Sequence, residues 1–165
     1  MFKELKNKKV LIFGLGILGG GVEAVKWFYK NGAKIIITDK KTKKELLPAI
    51  KKLKKIKAKY FLGKHRFEDI DQSEIVYCNP AVSYKSEWIK YAQEKNKEIV
   101  NDCYLFFKYA KGDIIAVTGT RGKTTTTTWI YELLRKFFEN KVLLGGNQPE
   151  RSLFKILDKT KEKTV

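Results

Sequence analysis

The apolar run Val10-Leu11-Ile12-Phe13 leads straight into Gly14-Leu15-Gly16-Ile17-Leu18-Gly19, and from Gly20 to Lys30 the residues Val22, Val25, Trp27, Phe28 and Tyr29 fall at spacings that suit a helix. A buried strand, a GxGxxG turn and a helix in that order leave few folds open besides a β-α-β unit. Asn31-Gly32 closes the helix, and Lys34-Ile35-Ile36-Ile37-Thr38-Asp39 supplies the second strand. In such a turn Gly14 permits a tight reversal, Gly16 lets backbone approach a diphosphate, and Gly19 lets helix and strand pack closely. The helix start adds unpaired N–H groups and about half a positive charge, which together favour an anion. Asp39 ends the second strand about 20 residues downstream, where an acid meets a ribose hydroxyl.

The alternation continues. Leu46, Leu47, Ile50 and Leu53 lie at helical spacing, a short strand is predicted around Lys59 to Leu62, and Glu74 to Cys78 is a strand stopped by Asn79-Pro80. Tyr84, Trp88, Tyr91 and Ala92 predict an amphipathic helix, and Glu98 to Val100 a brief strand. Strands alternating with helices predict an α/β fold, a Rossmann-like parallel sheet over residues 1–101 with right-handed crossovers. After Asp102 the pattern restarts: a short helix from Tyr104 to Lys111, a strand from Asp113 to Thr118, and a long helix. That helix carries Trp129, Ile130, Leu133, Leu134, Phe137 and Phe138 as one apolar stripe. A strand from Lys141 to Leu144 then ends in Gly145-Gly146-Asn147. One strand-helix-strand unit cannot bury its own faces, so residues 102–165 read as the start of a second, incomplete domain.

The second glycine-rich turn is Val117-Thr118-Gly119-Thr120-Arg121-Gly122-Lys123-Thr124-Thr125. It has the strand, loop, Gly-Lys-Thr, helix order of a phosphate-binding loop, although strict GxxxxGK[ST] spacing would need glycine at Val117. Its amides would cradle phosphates, Lys123 would bridge the β- and γ-phosphates, and the Thr124 hydroxyl would hold Mg²⁺. Thr124 to Thr128 are poor helix formers at a helix head, which a phosphate- and magnesium-facing first turn explains for Thr124 and Thr125. A nicotinamide dehydrogenase needs the first turn and has no use for the second.

Composition narrows the function classes. The formal charge of +17 comes from 35 basic and 18 acidic residues, but the only arginines are Arg66, Arg121, Arg135 and Arg151. Recognition of bases and phosphates favours the planar arginine fork, so a lysine excess reads as a solvated surface and no nucleic-acid partner is expected. Cys78 and Cys103 lack metal-cluster spacing and read as buried thiols of a reducing cytoplasm; the single His65 excludes multi-histidine metal sites. The basic start followed by Val10 to Leu18 mimics a secretory signal, but it is broken by glycine and falls short of the ~20 residues of a membrane span. A cytoplasmic protein without a membrane partner is expected.

Taken together, Gly14-Leu15-Gly16, Asp39, Gly63-Lys64-His65, Asn79-Pro80-Ala81-Val82, Tyr104-Leu105-Phe106, Val117 to Thr125 and Gly145-Gly146-Asn147 resemble the Mur ligases. Within that family the likeness is greatest to the branch that adds D-glutamate to UDP-N-acetylmuramoyl-L-alanine in peptidoglycan synthesis. The resemblance implies that Leu15, Gly16 and Ile17, with Gly14, lie near the diphosphate of the UDP sugar, and Asp39 and Lys40 near its uridine. Asn79 to Val82 would line that site and Asn147 would reach it. Gly119, Thr120, Arg121, Gly122, Lys123, Thr124 and Thr125 would hold ATP, with Lys123 and Thr124 catalytic and Thr124 on Mg²⁺. It further implies a monomeric amide ligase that phosphorylates a carboxylate before an amine attacks the acyl phosphate. The family usually has Ser-Pro-Gly at Asn79-Pro80-Ala81 and asparagine at Arg121. Its magnesium-binding glutamate, modified lysine and amino-acid-binding domain would lie beyond Val165, so the chain is expected to be a fragment that binds nucleotide weakly and does not ligate. His65 is expected to be structural.

Two other readings remain open at this level. Lys40 and Lys41 beside Asp39 would suit the 2′-phosphate of NADPH in a nicotinamide-binding domain, and a basic nucleic-acid module would use the lysines. A different Mur-type, folate-type or cyanophycin-type ligase is the nearest alternative.

Overall fold

The computed structural model describes residues 2–17, 19–146 and 149–165. β1 (Lys9–Phe13), β2 (Lys34–Asp39), β3 (Ala58–Leu62), β4 (Ile75–Cys78) and β5 (Glu98–Val100) form one parallel sheet in the order β3-β2-β1-β4-β5. Phe13 stands opposite Thr38 on one side and Cys78 on the other, so the carboxyl ends of β1, β2 and β4 are level. Strands buried on both faces read as unbroken apolar runs, and β1, β2 and β4 are such runs.

Helix α1 (Gly20–Lys30) lies against β1 and β2, and Phe28 meets the ring of Tyr77 edge-on at 6.0 Å. The opposite face of the sheet carries Leu11, Phe13, Ile36 and Val76, packed with Ile70 of α3 (Phe67–Asp71) and Ala92 of α4 (Glu87–Glu94). Each of these larger side chains contributes roughly 1.5–3 kcal/mol by leaving water. Helices on both faces of a parallel sheet make this unit Rossmann-like and doubly wound.

Two local expectations shift. Tyr84 precedes α4 and lies outside its turn, because Ser86 takes the N-cap position. Helix α2 is only Leu47–Lys51, with Leu46 and Leu53 buried at its flanks and Leu47 exposed.

The chain divides into two compact units, Met1–Leu105 and Phe106–Val165, with α5 (Asp102–Tyr109) spanning the boundary. In the second unit α6 is Lys123–Phe138 and α7 is Leu153–Leu157. The strands expected at 113–118 and 141–144 are not formed among the described residues. A parallel strand exists only where neighbours complete its hydrogen bonds, and here few are supplied. Asp113 N–H donates to Thr164 O, and Leu143 N–H to Val165 O, both at 2.9 Å. The apolar stripe of α6 is present but uncovered: Trp129 is 73% and Phe137 72% exposed.

Candidate functional site

In a doubly wound sheet the crevice opens where the strand order reverses, outside the carboxyl ends of the strands. Here that place is between β1 and β4, and three loops meet beside it. After β1, Gly14 N–H donates to Thr38 O at 2.9 Å, which aligns the turn with the end of β2. The Asp39 carboxylate then accepts from Gly16 N–H through Oδ2 and from Lys41 N–H through Oδ1, each at 2.9 Å. After β4, Asn79 donates from Nδ2 to Gly14 O and accepts from Ala81 N–H, each at 3.1 Å. The structure therefore brings Gly14, Gly16, Asp39 and Asn79 into one hydrogen-bonded group.

The individual side chains differ in what they offer. Leu15 is fully buried, so only its backbone can meet a ligand, whereas Ile17 is 53% exposed at the tip of the turn. Lys40 is exposed beside Asp39. Asn147 lies outside the described residues. The amides of Gly16 and Ala81 are already committed to carboxylate and carboxamide oxygens, which leaves the first turn of α1 as the place where amides lack intrahelical acceptors.

One glycine role moves. Gly19, with φ of 106°, caps α1 in the left-handed region with open space where a Cβ would stand, while a Cβ on Gly21 would overlap the Leu15 carbonyl. The close approach that the GxGxxG pattern places at its last glycine is made two residues later, between Gly21 of the helix and the turn at Leu15.

His65 was singled out by the sequence only as a structural residue, and its surroundings fit that. Its ring stacks on Phe13 at 4.0 Å, meets Trp88 edge-on at 5.7 Å, and its Nδ1 lies 3.0 Å from Thr38 Oγ1. Burial pushes its pKa below the usual imidazole value, against a pull upward from Asp39. Two further contacts left no sequence signal: Tyr77 O–H donates to Asp102 at the start of α5, and Arg66 pairs with the buried Asp69. Cys78 is buried, and burial raises its thiol to about 11; Cys103 is exposed, contrary to the sequence expectation of a buried thiol, because it lies in the first turn of α5 on the side away from the buried Leu105.

The second loop is built separately. Gly122, with φ of 78°, is the left-handed N-cap of α6, and all seven residues from Gly119 to Thr125 are exposed. Lys123 bends back so that Nζ donates to Gly119 O at 2.5 Å and Thr120 O at 3.2 Å. Thr127 Oγ1 donates to Lys123 O at 2.7 Å, a local bond that accounts for one threonine of the run. A flexible ammonium resting on loop carbonyls, next to helix-start amides and the Thr124 hydroxyl, is a donor set suited to a phosphate chain with a hard divalent cation. Among the described residues no cluster of His, Cys, Asp or Glu could hold a metal by itself, and no helix is long and apolar enough to cross a membrane.

Comparison with known proteins gives this geometry a family. The Mur ligase MurD-like N-terminal domain matches residues 8–101, and the Mur ligase middle domain matches residues 117–164. The chain belongs to the Mur ligase family. It is 40% identical over 146 residues to the UDP-N-acetylmuramoylalanine–D-glutamate ligase of Borreliella afzelii (strain PKo), a match covering 87% of this chain and 31% of that protein. It is 34% identical over 143 residues to the enzyme of the same name from Roseiflexus sp. (strain RS-1), again covering 87% and 31%. The chain thus spans about a third of the length of the curated relatives it matches. The solved pseudomurein peptide ligase type C from Methanothermus fervidus shares the fold, with a TM-score of 0.50 at 20% identity, covering 83% of this chain and 27% of that one. The Rossmann-like unit is accordingly a Mur ligase N-terminal domain, and the loop ahead of α6 begins a Mur ligase middle domain.

Proposed function

We propose that this chain carries the UDP-sugar site and the ATP loop of a peptidoglycan ligase that joins D-glutamate to UDP-N-acetylmuramoyl-L-alanine in the cytoplasm. Gly14, Leu15, Gly16 and Ile17 face the diphosphate, Asp39 and Lys40 the uridine, and Asn79 lines that site. Gly119, Thr120, Arg121, Gly122, Lys123, Thr124 and Thr125 hold ATP, and Thr124 holds Mg²⁺. Bound Mg²⁺ would supply charge neutralisation along the phosphate chain. Lys123 leaves the Gly119 and Thr120 carbonyls to counter the phosphate charge, and the start of α6 orients it. The substrate carboxylate needs ATP because a free carboxylate is a poor electrophile; as an acyl phosphate it has a leaving group for the amine to displace.

The observation that carries this reading is the group formed by Asp39, Gly16, Gly14 and Asn79 at the strand-order reversal. A carboxylate on the Gly16 amide places negative charge at the β2 side of the turn. A diphosphate is therefore directed toward the start of α1, and the ribose and uracil toward Asp39.

The test is an amide NMR titration of the chain with UDP and, separately, with MgATP. UDP should shift Gly14, Gly16, Asp39 and Asn79, MgATP should shift Gly119 to Thr125, and neither should displace the other. NADPH binding at the first turn in preference to UDP, or competition of UDP and ATP for one set of residues, would overturn the proposal.

A further inference from the structure

We infer that Tyr84 is a specificity residue whose ring stacks against the sugar of the nucleotide-sugar substrate, an inference that rests on the UDP-sugar reading above. The strand order fixes how such a ligand must run. Asp39 sits at the end of β2, the glycine turn follows β1, and Asn79 to Tyr84 follow β4, with Asn101 after β5. With the nucleoside at β2 and the diphosphate at β1, the sugar projects over the β4 and β5 side.

Tyr84 stands on that side two residues beyond Val82, whose Cγ2 would lie 3.3 Å from a Cβ built on Gly14. It is 51% exposed, yet its hydroxyl is fixed, accepting from Asn101 Nδ2 at 2.6 Å. Asn101 is itself held, since its Oδ1 accepts from Tyr104 N–H at 2.8 Å at the start of α5. An exposed tyrosine ordinarily leaves its hydroxyl to water and its ring free to turn. Here the polar end is tethered and the ring remains open, so a stacked ligand loses little further side-chain entropy. The electron-rich face of a phenol suits the C–H face of a pyranose. Ile17, also exposed, rises from the glycine turn and offers an apolar surface at the same crevice.

The experiment compares UDP with UDP-N-acetylmuramoyl-L-alanine by calorimetric titration of the 165-residue chain and its variants. Tyr84→Ala should leave the UDP affinity unchanged and weaken the sugar nucleotide by about threefold to tenfold, the range of one aromatic stacking contact. Tyr84→Phe, which keeps the ring and loses only the tether, should recover most of the difference. In the unaltered chain, saturating the Tyr84 ring protons should transfer to the sugar protons of the bound ligand, a readout that needs no variant to fold. Equal weakening of both ligands, no weakening of either, or transfer to uracil protons instead would overturn the role of Tyr84 while leaving the UDP site standing. Failure of UDP to bind the unaltered chain would instead remove the reading on which the inference rests.

Discussion

The Asp39 carboxylate accepts the Gly16 amide at 2.9 Å, so the end of β2 is tied to the glycine turn that follows β1. A second bond, from Lys41 N–H, fixes the other carboxylate oxygen. Both are charge-assisted and the group is nearly buried, so each exceeds an ordinary hydrogen bond. Asp39→Ala should lower unfolding stability by ~2–3 kcal/mol, and Asp39→Asn by roughly half as much, because the amide oxygen keeps one acceptor. Chemical denaturation of the two variants checks this. Equal midpoints for Asp39→Ala and the unaltered chain would mean that the turn holds its shape without the carboxylate.

The glycines of the first turn can be separated by substitution. Gly19→Ala meets open space and incurs only the left-handed backbone penalty, about 1–2 kcal/mol. Gly21→Ala drives a methyl into the Leu15 carbonyl and should lose ~3 kcal/mol or more through displacement of the start of α1 from the glycine turn. Thermal unfolding of the pair reads the order directly. A larger loss at Gly19 would restore the close-packing role to the last glycine of the GxGxxG pattern.

These glycines also show where the sequence could be read and where it could not. β1, α1, β2, β4 and β5 were legible because their apolar runs are bounded by glycine, asparagine or proline, and in β1, β2 and β4 burial on both faces leaves no polar alternation to confuse them. Helix α3 was missed: Phe67–Asp71 is too short for periodicity, and its stability comes from Ile70 in the core and the Arg66–Asp69 pair, both tertiary. The runs at 113–118 and 141–144 have strand composition, but a strand is a relation between neighbours, and composition does not report whether the neighbour is there. At the site, Gly14, Gly16, Asp39 and Asn79 each stood out singly. Their mutual bonds depend on the register that levels Phe13, Thr38 and Cys78, which no local pattern encodes. Tyr84 was read as part of a helix stripe, and its tether to Asn101 appears only once β5 is placed beside β4.

Lys123 offers a test of function without a cost in stability. It is exposed, and its ammonium rests on carbonyls of its own loop. Lys123→Ala should change the unfolding free energy by no more than ~0.5 kcal/mol, as for other surface substitutions. MgATP affinity should fall by about tenfold or more, since a charge-assisted contact to phosphate is removed. Calorimetric titration alongside denaturation separates the two. Unchanged ATP affinity in a fully folded variant would detach this loop from phosphate binding.

His65 makes the final prediction, and its sign follows from which state holds the proton more tightly. Burial against Phe13 and Trp88 lowers the imidazole pKa in the folded chain, whereas the unfolded chain titrates near the ordinary value of ~6.5. Asp39 and Asp69 pull the pKa up and Lys40 pushes it down, but desolvation is the largest influence. Between the two pKa values the unfolded chain binds more protons, so stability attributable to His65 is fully present above pH ~6.5 and is lost as the pH falls through the folded value. His65→Phe keeps a ring on Phe13 and removes the titration. Between pH 7 and pH 5 the unaltered chain should lose more stability than His65→Phe, the carboxylates contributing equally to both. The difference between their denaturation midpoints, followed against pH, isolates the imidazole. A gap that stays constant with pH would show that His65 meets the same surroundings folded and unfolded, and that its stack on Phe13 does not keep it from water.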